Sequence, residues 1–296
     1  MYNAIEANRR KSVLLIALVV GLVSAAGYAY GQTTGAGWSG LVFALLFSTF
    51  GTAFTWFAGD TIALSTAGAV RVEQKEQAPE LWNMLENLSI TAGLPMPKLY
   101  LIEDGSPNAF ATGRDPEHAS IAVTSGLVQT LNRTELEGVL AHELSHIQNY
   151  DTRWMVLVGV LVGSLSLLGD LFFRLGGSKR RESSNNGGQI GMIVGIAFLV
   201  LAPIIGQLIR LAISRKREYL ADASAALLTR YPEGLASALE KISHATDPLD
   251  HAPDATAHLW IASPLQTGQA PGLLSRLFST HPPIEDRINI LRSMIR

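Results

Sequence analysis

The chain has 296 residues, with 23 Lys and Arg against 25 Asp and Glu, and its formal net charge of −2 leaves no basic footprint, which excludes nucleic acid as a partner. Only 16% of the residues are charged, against about 25% in a soluble domain, so something other than water solvates part of the molecule. The absence of cysteine excludes disulfides, thiolate nucleophiles and Cys-held zinc, and any metal must be held by His, Asp or Glu.

Val13 to Gly31 carries no charge and neither does Gly37 to Gly59, so each run approaches the roughly 20 residues that a helix needs to cross about 30 Å of hydrocarbon. Arg9, Arg10 and Lys11 precede the first run and place the N-terminus in the cytoplasm, which makes residues 1–60 an N-terminal transmembrane hairpin. A cleavable signal peptide is the rival reading of the first run, with Ser24-Ala25-Ala26 as its small-residue patch, but a second span follows almost at once and a retained hairpin explains that better.

Residues 61–153 read as a water-soluble segment. Ala78 to Ala92 has Leu81, Leu85 and Leu88 at helical spacing, Pro95 and Pro97 stop it, and Lys98 to Ile102, Asn108 to Thr112 and Ser120 to Thr124 read as short strands. Thr134 is the expected N-cap of a helix with Leu136, Val139, Leu140 and Leu144 on one side. Residues 154–210 hold a second apolar helical pair, Trp154 to Leu168 and Gln189 to Ile209, joined by a loop with Lys179, Arg180, Arg181 and Glu182. A basic loop resists export, so this pair either spans twice or only dips into the bilayer. Residues 211–296 begin helical, pass through an aperiodic stretch from Asp247 to Gly272, read as mobile surface with a lid over a site as the alternative, and end in a short helix after Pro282-Pro283.

The helix that starts near Thr134 contains His142-Glu143-Leu144-Ser145-His146. In this HExxH spacing the two imidazoles share one helix face and can converge on one ion, with Glu143 beside the open coordination position as the base for a water molecule. A polar helix face with two solvated His is the bland alternative, and the apolar residues around the motif argue against it. Glu218 and Asp222 stand one helical turn apart later in the chain, which suits Glu218 as third ligand and Asp222 as the carboxylate behind a ligating His; pairing of Glu218 with Arg215 or Lys216 is the competing reading. A single ion held by His142, His146 and Glu218 requires the chain between them to cross a membrane an even number of times. If the HExxH helix continued to Trp154, the metal would lie about 12 Å from the start of the apolar pair, at 1.5 Å per residue.

HExxH followed by Glu218 and Asp222 in ExxxD spacing, with apolar runs on both sides of the first motif, resembles the HtpX family of membrane zinc metallopeptidases and, more distantly, the CAAX prenyl endoproteases. Asn108-Ala109-Phe110-Ala111-Thr112-Gly113 resembles that family's strand beside the active-site cleft, and Thr280-His281-Pro282-Pro283 with Arg287 resembles its C-terminal motif. The resemblance implies a mostly α fold with a small β-sheet, an integral membrane zincin-like metalloprotease whose catalytic domain, in residues 61–153 and 211–296, lies on the cytoplasmic side of a bacterial inner membrane. It implies Zn2+ as cofactor and misfolded membrane proteins or unfolded polypeptides as substrates.

On this reading Glu143 is the catalytic base. Asn108, Ala109, Phe110 and Ala111 pair with extended substrate, unless they form an ordinary interior strand. His281 either hydrogen-bonds the developing oxyanion or packs the last helix. A processing protease for one substrate, a silent membrane adaptor and a ligand-sensing receptor are the alternative functions, and the oligomeric state stays open.

Overall fold

The computed structural model describes residues 38–155, 215–245, 259–262 and 282–294, with parts of 13–37. The second apolar pair beyond Met155, its basic loop and His281 lie outside the described residues.

Helix α1 (Trp38–Thr66) contains the second expected span and runs past Asp60 into the domain. Phe43, Phe47, Phe50, Phe54 and Phe57 follow one another at helical spacing and are all exposed, an apolar stripe of the kind that marks a membrane or protein contact. No single helix among the described residues is long and apolar enough to cross a membrane; Trp38–Phe54 and Trp56–Thr66, bent by 60°, reach that length and composition together. Just before the bend the Ser48 hydroxyl donates to the Leu45 carbonyl at 3.2 Å and the Thr52 hydroxyl to the Ser48 carbonyl at 2.7 Å, back-bonds of a kind that bend helices. Near its start α1 lies backbone to backbone against the first expected span, where a Cβ on Gly40 would meet the Gly27 carbonyl.

Four strands, β1 (Val70–Arg71), β2 (Lys98–Ile102), β3 (Ala109–Gly113) and β4 (Ala119–Thr124), form one mixed sheet in the order β1-β2-β4-β3. β2 runs parallel to β4 while β1 and β3 are antiparallel to their neighbours, so β3 is an edge strand. Three of these strands follow the sequence reading closely; β1, two residues long, carries too little pattern to be read. Helix α2 (Pro79–Ala92) buries Leu81, Leu85 and Leu88 and stops at Gly93, whose left-handed φ of 68° suits glycine.

After a short α3 (Ser125–Thr130), helix α4 (Arg133–Gln148) carries HExxH. Its N-cap is Asn132 rather than Thr134. The Asn132 side chain accepts from the Glu135 amide at 3.0 Å while the Glu135 carboxylate accepts from the Asn132 amide at 2.8 Å, a reciprocal cap into which Thr134 donates its hydroxyl. The same carboxylate takes Ser237 Oγ and Lys241 Nζ, each at 2.7 Å, and so ties α4 to α6 (Pro232–His244). Nor does α4 continue to Trp154. It ends at Gln148, Tyr150 takes a φ of 58°, and a new helical stretch begins at Asp151, so the straight-helix distance does not apply.

Helices α5 (Arg215–Thr229) and α7 (Ile284–Ser293) complete the described fold, which is mostly helical with the small mixed sheet. Leu136, Val139, Leu140, Leu144 and Ile147 of α4 are buried at its centre, each worth roughly 1.5–3 kcal/mol of burial. Between α4 and α6 there is no room for another atom: a Cβ on Gly138 would lie 2.7 Å from the Leu235 nitrogen. Gly138→Ala therefore forces the helices apart and lowers the unfolding free energy by about 1–3 kcal/mol, read as a fall in denaturant midpoint; an unchanged midpoint would show that α6 shifts freely.

Candidate metal centre

The HExxH spacing places His142 and His146 one turn apart on α4, and α5 lies against that face. His142, His146 and Glu218 are buried, and one ligand atom from each lies within 4.8 Å of the others, a grouping among the described residues that could hold a metal ion. The two imidazole Nε2 atoms stand 3.1 Å apart, with Glu218 Oε1 3.5 Å from His146 Nε2 and Oε2 3.8 Å from His142 Nε2.

The outer nitrogens decide what this cluster can hold. His142 Nδ1 lies 2.9 Å from Asp222 Oδ1, and His146 Nδ1 lies 3.3 Å from Asp151 Oδ2. Each carboxylate accepts an Nδ1–H, which leaves the two Nε2 lone pairs facing each other and Glu218. That arrangement is repulsive unless a positive species lies between them, either a proton or a metal cation. Around the cluster Asp151 meets the guanidinium of Arg217, while Asp222 and Glu218 meet that of Arg287. The residues present fit a divalent metal.

Arg287 is 0% exposed and holds Asp222 with two nitrogens, Nε at 2.8 Å and Nη2 at 2.7 Å, while Nη1 stands 3.5 Å from Glu218 Oε2. Burial raises the Asp222 carboxyl, but the Arg287 charge and the hydrogen bonds from Arg287 and His142 outweigh it, and Asp222 stays below the usual carboxylate range. Burial holds the His142 imidazole down to about 4. His146 goes the other way: burial opposes its charge, yet the Asp151 hydrogen bond and the nearby Glu218 outweigh burial and push it up to about 9. Glu143, 2% exposed beside the cluster, is pushed up to about 7, chiefly by burial, although it accepts a hydrogen bond from the Ala111 amide.

The sequence-predicted residues thus divide. Glu143, His142, His146, Glu218 and Asp222 are brought together, and His281 lies outside the described residues. In β3 the Phe110 side chain is fully buried against Trp260, Ala109 and Ala111 are buried too, and Asn108 just before the strand is buried holding Ala262. Asp151 and the clamp role of Arg287 were not read from the sequence. Asp151 follows His146 off the helical repeat, reached only because Tyr150 turns the chain back; Arg287 lies 65 positions from its partner Asp222. Leu259–Ala262, inside the stretch expected to be mobile surface, is buried against β3.

The profile of Peptidase family M48 matches residues 75–295. A protease HtpX homolog of Dictyoglomus turgidum is 46% identical over 293 residues, covering 99% of this chain and 94% of that protein. A second, from Tropheryma whipplei, is 42% identical over 296 residues, covering 99% and 98%. The crystal structure of S. mikatae Ste24p shares the fold at a TM-score of 0.52 and 19% identity, over 98% of this chain and 67% of that one.

Two outcomes are expected of the cluster. Asp151→Asn weakens the hydrogen bond that orients His146 and lowers metal affinity by about 10–100-fold, measured by competition with a chelating dye; unchanged affinity would make Asp151 incidental. Since the metal-free His146 keeps its proton up to about pH 9 and must lose it to bind a cation, affinity falls as pH falls below that value, and binding near pH 7.5 releases a proton that calorimetry in two buffers detects.

Proposed function

The chain belongs to peptidase family M48 and is a metallopeptidase, and from that premise we propose that it is a membrane-bound zinc endopeptidase that cuts misfolded membrane proteins and unfolded polypeptides at the cytoplasmic face of a bacterial inner membrane. The observation that carries this reading is the position of Glu143: a buried carboxyl beside convergent imidazoles and within hydrogen-bonding reach of the Ala111 amide of β3.

His142, His146 and Glu218 would hold the metal. The choice of zinc follows from two imidazoles, one carboxylate and an open position, the donor set of hydrolytic zinc sites. Bound there, zinc supplies Lewis acidity toward a carbonyl oxygen and lowers the pKa of water. Glu143 accepts the proton of the attacking water and returns it to the leaving amine, a task that burial favours by making its carboxylate more basic than usual. Asp222, kept ionised by Arg287, and Asp151 fix the tautomers of the two imidazoles. Scissile chain lying along β3 presents its backbone to Ala109 and Ala111, and main-chain pairing accepts many sequences, as a quality-control protease requires.

Two features support work at a membrane. α1 exposes its Phe stripe, and the far end of the same helix packs Ala63, Leu64 and Ala67 into one apolar cluster with Phe110 of β3. The catalytic cleft therefore adjoins the helix that lipid would surround, with residues 1–60 as anchor.

Glu143→Gln should retain the metal, because the ligands and shape are kept, and should lower hydrolysis of unfolded casein by about 10²-fold or more. Retention of most activity would remove Glu143 from the mechanism.

A further inference from the structure

We propose that Leu259–Ala262 is an internal stand-in for substrate: it occupies the outer edge of β3, and an extended polypeptide reaches Glu143 only when this segment withdraws. The inference rests on the reading that substrate pairs with β3.

β3 has β4 on one side, so the amides and carbonyls of Ala109 and Ala111 on the other side are the ones open to a further strand. They are not empty. The Ile261 amide donates to the Ala109 carbonyl at 3.0 Å, and Trp260 stands opposite Phe110 as an antiparallel bridge. Beside that bridge the Asn108 side chain behaves like one more residue of strand: its Nδ2 donates to the Ala262 carbonyl at 3.0 Å and its Oδ1 accepts the Ala262 amide at 3.3 Å. The Ile261 carbonyl lies 3.5 Å from Arg287 Nη1, and the Ala111 amide, next along the edge, hydrogen-bonds Glu143. An antiparallel substrate strand needs these same groups in this same place.

The segment is held by features that a substrate can reproduce and by one that it can improve. Trp260 fills an apolar pocket formed by Phe110, its ring centroid 4.7 Å away, with Ala63, Leu64, Ala67 and Ile102. Its indole N–H is buried there without a hydrogen-bond partner among the described residues, a penalty that works against the packed state. A Phe or Leu side chain of an incoming polypeptide occupies the pocket without a stranded donor. The pairing is also short, one main-chain hydrogen bond together with the Asn108 clamp. The geometry thus assigns both a restraint on activity and a preference: substrate with a large apolar side chain opposite Phe110 displaces the segment best.

The test uses the full-length, zinc-loaded protein in detergent with unfolded casein. Trp260→Ala empties the pocket, and Ala262→Pro deletes the amide that Asn108 holds. Both should lower KM for casein about tenfold or more, with zinc content kept and kcat not reduced. An unchanged or raised KM in an Ala262→Pro protein that melts like the parent, or lost turnover with zinc in place, would mean a permanent strand of the site and overturn the proposal. Hydrogen exchange reads the same point without turnover. In the Glu143→Gln protein, saturating casein should speed exchange of the Ile261 amide at least tenfold, and unchanged or slower exchange overturns the proposal. Casein hydrolysis that survives Glu143→Gln counts instead against the peptidase mechanism, and the exchange of Ile261 still decides whether the segment is displaced.

Discussion

Arg287 and Asp222 hold each other where water does not reach, and the rest of the site is arranged on that pair. The guanidinium grips the carboxylate through two nitrogens, and both side chains are 0–1% exposed. A carboxylate buried alone at this depth would take up a proton and become a donor; Asp222 beside Arg287 stays an acceptor. Because it accepts, His142 donates from Nδ1 and turns Nε2 to the point where His146 Nε2 and Glu218 converge. One ion pair thus couples α7, at the end of the chain, to α5 and through it to α4. Removing either partner leaves a charge uncompensated in an apolar interior, a change that usually costs about 3–5 kcal/mol.

What could be read from the sequence is what is local. HExxH and ExxxD declare themselves because helical periodicity alone puts residues one turn apart on the same face. The strands at Lys98, Asn108 and Ser120 are likewise bounded by prolines, glycines and short apolar alternation, and they form within a residue of where the pattern puts them. Long-range and irregular features stayed hidden. Asp151 comes to His146 only because Tyr150 adopts a φ of 58°, which no periodicity announces. Leu259–Ala262 carries an apolar Leu-Trp-Ile-Ala in a stretch otherwise rich in Pro, Asp and His, and that contrast was the signal available for a buried segment. The N-cap at Asn132 was missed because two residues capable of capping stand close together, and the reciprocal bond from Glu135 decides between them.

The junction between the apolar helix and the catalytic domain is built from cations over aromatic rings. Arg153 lies 4.9 Å from the Trp56 ring centroid and 5.3 Å from that of Tyr150, and Arg114 lies 5.3 Å from Phe57. Arg153 Nε also donates to the Arg114 carbonyl at 2.7 Å, which binds the turn after β3 to the segment after α4. Aromatic rings with guanidiniums over them suit a zone where hydrocarbon gives way to water, since one end of each pair is apolar and the other charged. Tyr150 therefore serves twice, turning Asp151 toward His146 and stacking under the arginine that fastens this region to α1.

The central claim is that His142, His146 and Glu218 together hold one divalent zinc ion. Zinc affinity measured by chelator competition in the purified protein and in Glu218→Ala tests it most directly. The account predicts one equivalent of zinc in the parent and a loss of affinity of about 10²-fold or more in the variant, because two imidazoles alone bind the ion weakly. Full zinc occupancy with parental affinity in Glu218→Ala would contradict it and place the third ligand elsewhere.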